Sequence, residues 1–508
     1  METKKRKSEQ YTVVMNMVWA VVAVIINYGM NFLITPYVTN NIGVEAYGFV
    51  ALATTFTSYV DIISVGLNAF AGRFISIAYH KGDYGKASRF YSSTIAADAV
   101  LAVLIFVPSL AAIGSLEKFF RIPGALERDV KLLFLVVLVK YLLTVMRTAF
   151  DTAAFIANRL DIAERKQGIA YVLQAVLLFL LCAVFPPHVW YVGAAMAAGA
   201  VYLLAVNMRL SRKLTPELHF QKSWCSKSAV KEMVTAGIWN SLNNLGNVLN
   251  SGLDLLITNL MLDAAVLGEI SIAKNLAAVC YLIVGKISGA FRPRQLILYA
   301  ENESEKMTEL YKTSMKITGT FCSFVICWFF LCGRDFLELW IPGQNIDFIF
   351  KASMIVLFSD IAIGVVQPLY YVFTLTKKVK LPCMITIAMG AANVLSMYLL
   401  LKHTSMGAYA VLVTTLVINC VHFVDTPLYA AYCLKLPLRT FYPVILRHCM
   451  AAGVCMAAVW KFGGLLPKAH SWAALVGKGV LAGIPILVIL AAIMFSGREI
   501  RQVLERKK

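Results

Sequence analysis

The chain has 508 residues, 59% of them hydrophobic and 15% charged, and its mean hydropathy is +0.71. Soluble domains carry about a quarter charged residues, so a water-soluble protein is excluded, and no polar stretch is long enough to form a separate soluble domain. The formal net charge of +19 invites a nucleic-acid reading that the placement of the charges removes.

A helix needs about 20 apolar residues to cross a hydrocarbon core about 30 Å thick. Fourteen stretches meet that need: 12–34, 46–68, 91–114, 131–150, 168–186, 189–208, 234–257, 265–290, 313–332, 352–374, 381–401, 406–429, 443–460 and 474–496. The first follows a basic run, Lys4-Lys5-Arg6-Lys7. It is too long for a signal-peptide core and lacks a small-residue cleavage site, so it is read as a span. Asn27 and Asn31 lie one helical turn apart in it. The second span has a polar stripe at helical spacing: Thr54, Thr57, Ser58, Asp61, Ser64 and Asn68. Asp98 lies in the third span, Lys140 and Arg147 in the fourth.

The seventh span is the most informative. Gly237 to Ile257, GIWNSLNNLGNVLNSGLDLLI, is long enough to cross the bilayer yet carries five asparagines and an aspartate. At about 100° per residue, Asn240, Asn243, Asn244, Asn247, Asn250, Ser251 and Asp254 share one arc, opposite Ile238, Leu242, Leu245, Leu249 and Leu256. Such a stripe faces other helices or a wet cavity, not lipid. One reading is interhelical hydrogen bonding, about 0.6 kcal/mol per bond; the other is the wall of a hydrophilic pathway. Stripes in spans one, two and seven favour the pathway, because neutral amides and hydroxyls can line a wet wall and cost less to bury than charges.

The later spans hold Lys274 (eighth), Asp360 (tenth), Asp425 (twelfth) and Lys478 (fourteenth). Arg147 and Lys478 lie near span ends, where long cations snorkel. Lys140 and Lys274 are each about ten residues, ~15 Å, below the outer ends of their helices, near the midplane. A charge at that depth costs about 2.5–3.5 kcal/mol, so each lysine needs an anion. Asp61, Asp98 and Asp360 are internal candidates; an anionic ligand is the external one. Asp61, Asp98, Asp360 and Asp425 are read either as ion-coupling carboxylates or as plain hydrogen-bond partners between helices. The coupling ion is H+ or Na+, the latter at a site made by Asn393 and Ser396 with Thr414 or Thr415. Gly285, Gly289, Pro293 and Pro368 are candidate bends. The eleven cysteines form no CxxC pair and the seven histidines are scattered, so no metal site and no cofactor are expected.

Assigning alternate loops to the cytoplasm, beginning with the N-terminus, places 34 Lys and Arg inside and 9 outside. That asymmetry sets both termini in the cytoplasm and makes the positive charge a topology signal, with no nucleic-acid partner. A shift of 220 positions aligns Trp19 with Trp239, Asn27 with Asn247, Gly48 with Gly268, Tyr79 with Tyr299 and Tyr91 with Tyr311. The predicted fold is therefore an all-α polytopic membrane protein with 14 transmembrane helices. It divides into an N-lobe (1–210, spans 1–6), a cytoplasmic loop (211–233) and a C-lobe (234–434, spans 7–12), with spans 13–14 and a basic tail over 435–508. The lobes form a parallel pseudo-repeat, a known transporter design.

The run TPYVTNNIGVEAYGFVALATTFTSYVDIISVGLNAFAGRFISIAYHKGDYGKASRFYSS, Thr35 to Ser93, resembles the start of bacterial polysaccharide-export membrane proteins. These are the O-antigen flippases of the multidrug/oligosaccharidyl-lipid/polysaccharide exporter superfamily. IGxxAYG before span two and GRFISxAYxxGD after it carry most of the likeness. The resemblance implies two six-helix lobes facing a central cleft lined by spans 1, 2, 7 and 8. It also implies alternating-access transfer of an undecaprenyl-pyrophosphate-linked glycan, an O-antigen or capsule-type repeat unit, across the bacterial inner membrane. Cleft cations in that family take the headgroup, a role that Lys140 and Lys274 match by depth. A polysaccharide polymerase and chain-length machinery are the implied partners, with lipopolysaccharide biosynthesis as the setting.

Two other transport functions stay open, an ion-coupled drug or cation antiporter and a flippase for a lipid-linked peptidoglycan precursor. A cation exporter calls for acidic residues where the deepest charges here are lysines. A membrane enzyme would need a large outer loop with groups to hold a donor; the longest outer loops, 115–130 and 333–351, are short and have no DxD-like acidic pair.

Overall fold

The computed structural model describes the backbone of residues 2–495, and their side chains except those of 2–14, 16, 17, 20, 21, 251 and 361. The Lys4–Lys7 side chains, Ser251 of the stripe, and the basic tail with Arg498, Arg501, Arg506, Lys507 and Lys508 lie outside the described residues. The described chain is helical, with no strand. Its long helices are α1 (Glu2–Asn41), α2 (Val44–His80), α3 (Tyr84–Gly114), α4 (Glu127–Ile156), α5 (Leu160–Val184), α6 (Trp190–Leu214) and α7 (Lys227–Asn247). They continue with α8 (Ala264–Ala300), α9 (Ser304–Trp340), α10 (Ile346–Val366), α11 (Lys380–His403), α12 (Ala408–Cys433), α13 (Tyr442–Phe462) and α14 (Trp472–Met494).

Among the described residues twelve helices are long and apolar enough to cross a membrane, so this is a multi-pass membrane protein. The expected spans at 131–150 and 234–257 coincide with α4 and α7, which stand outside those twelve. These are the helices that carry Lys140 with Arg147 and the asparagine stripe.

The turns arise from local chemistry. In the HKGD segment between α2 and α3, Gly82 takes φ +76°, a left-handed conformation that glycine adopts without a Cβ penalty. Asp83 then caps α3, its Oδ1 accepting from the Lys86 amide at 2.9 Å. Asn345 and Ser471 cap α10 and α14 in the same way. Pro368 lies in a 3-10 turn, Gln367–Leu369, that separates α10 from a short helix, Tyr370–Leu375, whereas α8 runs unbroken past Gly285, Gly289 and Pro293.

The expectation of one continuous helix over 237–257 is corrected. α7 ends at Asn247, a π-helical turn occupies Val248–Gly252, and a short helix resumes at Asp254. A π turn inserts an extra residue and rotates the helix beyond it, so the stripe divides. Asn240, Asn243 and Asn247 are exposed and Asn244 half-buried, whereas Asn250 and Asp254 are buried.

The chain forms two compact units, 1–268 and 269–508. In the first, α2 packs along α7, α3 and α4, while α4 packs on α6 and α1 on α5. Small residues permit the closest approach: a Cβ on Gly237 would overlap the Gly66 carbonyl oxygen, and one on Gly268 the Val44 carbonyl. Leu67, Ile75, Phe90, Tyr91 and Met233 belong to one buried cluster in this unit. The segment after α6 is strapped to it: Gln221 N donates to Ser92 Oγ (3.1 Å), Ser226 N to Ser93 Oγ (2.9 Å) and Tyr79 OH to Glu217 (2.6 Å).

In the second unit α10 packs on α12 and α9, and α9 also carries α13 and α14. Here the snorkelling expectation for Lys478 is corrected. Its Nζ pairs with Asp335 Oδ2 at 2.8 Å, with the two side chains 10% and 8% exposed. Ala469 N donates to the same oxygen at 2.9 Å. The ammonium is buried against a carboxylate of the neighbouring helix and does not extend to water, and the pair docks α14 on α9.

Candidate functional site

In the first unit the polar face of α2 converges on α4. Ser64 Oγ donates to Asp61 Oδ1 at 2.6 Å and lies 2.9 Å from Tyr141 Oη, and Tyr141 donates to Asp61 Oδ1 at 3.3 Å. One turn further along α2, Asn68 Nδ2 donates to Asp98 Oδ1 of α3 at 3.0 Å. Asp61 and Asp98 therefore belong to adjoining hydrogen-bonded groups, linked by the position of Ser64 and Asn68 on one helical face. Sequence periodicity finds that face but not Tyr141, since spacing along one helix does not identify the residue a neighbouring helix brings to it.

Lys140 precedes Tyr141 on α4. It is half-buried and within electrostatic reach of Asp61 and Arg147, yet it makes no ion pair within 4 Å among the described residues. Arg147, two turns on, is 18% exposed, and its Nε donates to Asp151 Oδ2 at 2.9 Å. It is thus held by its own i+4 carboxylate, one turn nearer the end of α4.

In α1 and α2 other polar residues bond within their own helices. Asn31 Nδ2 donates to Asn27 O and Oδ1 (3.0 and 3.1 Å), Thr35 to Asn31 O (2.8 Å) and Thr57 to Thr54 O (2.6 Å). A cross-helix bond goes to the π turn, where Tyr59 OH donates to Gly252 O at 2.7 Å, satisfying a carbonyl in that turn.

In the second unit Lys274 lies within electrostatic reach of Asp360, and Cys280 and Tyr281 adjoin the same carboxylate. Asp425 accepts from Thr426 Oγ1 (3.0 Å), and its two oxygens are 3.1 and 3.2 Å from His422 Nδ1. Tyr370 packs its ring against His422, centroids 6.4 Å apart. His422 is absent from the candidates the sequence suggests, although an i, i+3 spacing to Asp425 puts both on one helix face. Asn393 Nδ2 donates to Thr415 Oγ1 at 3.2 Å, bringing together two residues of the suggested sodium site, while Thr414, the alternative to Thr415 there, bonds back to Ala410 O. Among the described residues no group of His, Cys, Asp and Glu could hold a metal ion.

Residues 13–294, more than half of the chain, match the family described as "Polysaccharide biosynthesis protein". The chain belongs to that family. The matched segment contains the Thr35–Ser93 motif, Lys140, the α7 stripe and Lys274, so the family expected from the motif is the one found. The chain is also 27% identical over 477 residues to an uncharacterized membrane protein, EpsK, of Bacillus subtilis (strain 168), covering 93% of each. Among solved structures it is similar to the lipid II flippase MurJ in an inward closed conformation, with a TM-score of 0.69 and 12% identity over 95% of this chain and 98% of that one. It is likewise similar to an inward-facing multidrug resistance MATE family transporter of the MOP superfamily (TM-score 0.67, 16% identity, 82% and 98% covered). At these identities the likeness is one of fold: this polysaccharide-biosynthesis family member has the fold of MOP superfamily transporters.

Proposed function

We propose that the protein is a flippase that moves an undecaprenyl-pyrophosphate-linked oligosaccharide across the bacterial cytoplasmic membrane by alternating access. In this reading α4 and α7 also cross the bilayer, giving fourteen spans with both termini in the cytoplasm, six helices in each lobe, and α13–α14 appended.

The observation that carries the proposal is Lys140. An ammonium inside a helix unit costs several kcal/mol unless an anion meets it, and here no carboxylate lies within ion-pair distance among the described residues. The diphosphate of a lipid-linked sugar supplies that anion, with Asp61 close enough to moderate the charge while the site waits. Lys274 takes the same part in the second unit, balanced by Asp360. Asn240, Asn243, Asn244 and Asn247, with Asn27, Asn31 and Thr57, meet the sugar hydroxyls. Three of the α7 asparagines are exposed, which supports a pathway wall over interhelical glue.

Lys140→Ala and Lys274→Ala test the reading. A charge-assisted hydrogen bond contributes about 1.5–3 kcal/mol, so each substitution should lower surface-glycan export about tenfold or more at unchanged membrane abundance. Normal export in Lys140→Ala would remove that residue from substrate handling.

A further inference from the structure

Asp98 is the one aspartate of the four candidates that is fully buried, at 0% exposure. It lies about 21 Å along α3 from Tyr84. Asn68 gives it one hydrogen bond, to Oδ1 at 3.0 Å. The other two oxygens of the pair, Asn68 Oδ1 and Asp98 Oδ2, are buried with no hydrogen-bond partner. Both are acceptors, so an amide facing a carboxylate leaves two lone pairs unmet where an unmet group is costly. One proton resolves both. On Asp98 Oδ2 it donates to Asn68 Oδ1 while Asn68 Nδ2 still donates to Asp98 Oδ1, closing a cyclic acid–amide pair. A hard metal cation fits poorly, because such ions take about six or more oxygens and two are unfilled here.

We propose that Asp98 and Asn68 form a proton-carrying site that couples translocation to the transmembrane proton gradient. The coupling rests on the flippase reading; the proton site itself does not. On discharge the proton passes from Asp98 Oδ2 to water, the bonding electron pair stays on the oxygen, and the ring opens; charging reverses these steps. Water must reach the pair, so α2 and α3 have to part locally. Asn68 is two residues from Gly66, where Gly237 brings α7 against α2, so a shift at that contact is felt at the pair. From α4, Tyr141 lies within electrostatic reach of Asp98. Beyond it are Asp61 on α2 and Lys140 on α4. α7 presents the Met233 sulfur to Thr94, one turn from Asp98.

Infrared difference spectroscopy of the full-length protein in lipid nanodiscs, without substrate, reads the proton directly. An exposed aspartate, titrating near pH 3.9, is ionised at about pH 7. A protonated-carboxyl C=O band is expected at that pH, shifted in Asn68→Leu and lost in Asp98→Asn, which keeps the packing as an amide–amide pair. Absence of any Asp98-dependent band overturns the site. In proteoliposomes with a lipid-linked oligosaccharide, an imposed pH gradient should accelerate flipping by the natural sequence and leave Asp98→Asn unresponsive. A gradient response that persists in Asp98→Asn overturns the coupling even when the band is present. A natural sequence that moves no glycan sinks the flippase reading while the spectrum still decides the proton site.

Discussion

Two lysines at similar depth in their helices have different surroundings, and the difference bears on what each does. Lys140, with no ion pair within 4 Å among the described residues, has Asp61 as its carboxylate neighbour, and Lys274 has Asp360. Asp61 keeps the Ser64 and Tyr141 hydroxyls when Lys140 is lost, whereas loss of Lys274 removes the cation beside Asp360. Lys274→Ala should lower thermal stability in detergent where Lys140→Ala does not, as read by parallel melting curves. Cysteines placed at Asn243 and Asn247, both exposed, should react with a hydrophilic thiol reagent in a background without native cysteines. Inertness of both in every transport state would return the stripe to interhelical glue. Depth is legible in the sequence, because residue count along a helix is distance. Partnership is not: Tyr141 and Asp98 come from other helices, so no spacing rule reaches them. The snorkelling expectation for Lys478 fails for a related reason, since nearness to a span end does not say whether a neighbouring helix walls off the route to water.

At the level of the element, α7 departs from regular geometry where its stripe is densest. The sequence offers little warning of the π turn, because asparagine, serine and glycine fit α and π turns alike and hydrophobic period is weak across them. The GD turn before α3 is readable, since a left-handed glycine followed by a capping aspartate is local chemistry. α2 and α7 approach through glycines, and Gly237→Ala sets a methyl against the Gly66 carbonyl oxygen. Overpacking of this kind typically costs about 1–3 kcal/mol, so the variant should melt earlier than the natural sequence. An unchanged melting temperature would show that the α2–α7 contact is loose.

For the whole molecule, the helical class, the family and most helix positions are legible, because a bilayer demands long apolar segments and the chain supplies them. Which helices pack against which is not, since packing depends on small residues and straps that carry no period. The 215–226 segment reads as a polar loop, yet its backbone is fastened to Ser92 and Ser93, and Tyr79 donates to Glu217. That hydrogen bond holds the Glu217 carboxyl below the usual carboxylate range. A depressed folded value means the stabilisation is present above the ordinary titration range, near pH 4.5, and is lost as pH falls through the lowered value. Protease cleavage within 215–226 should therefore rise on acidification below that range. Glu217→Gln should show the raised cleavage already at neutral pH; equal cleavage of both proteins at all pH values would mean the serines alone fasten the segment.

The ion pair between α9 and α14 also has a consequence for biosynthesis. Asp335 and Lys478 are 143 residues apart, and ribosomes add about 5–20 residues per second, so Asp335 leaves the ribosome about 7–30 s before its counterion. Throughout that interval the nascent chain carries a stranded acid in α9. A truncation before Trp472 makes the stranding permanent, and the product should be cleared by membrane quality control, whereas the same truncation carrying Asp335→Asn should persist longer in a pulse-chase experiment.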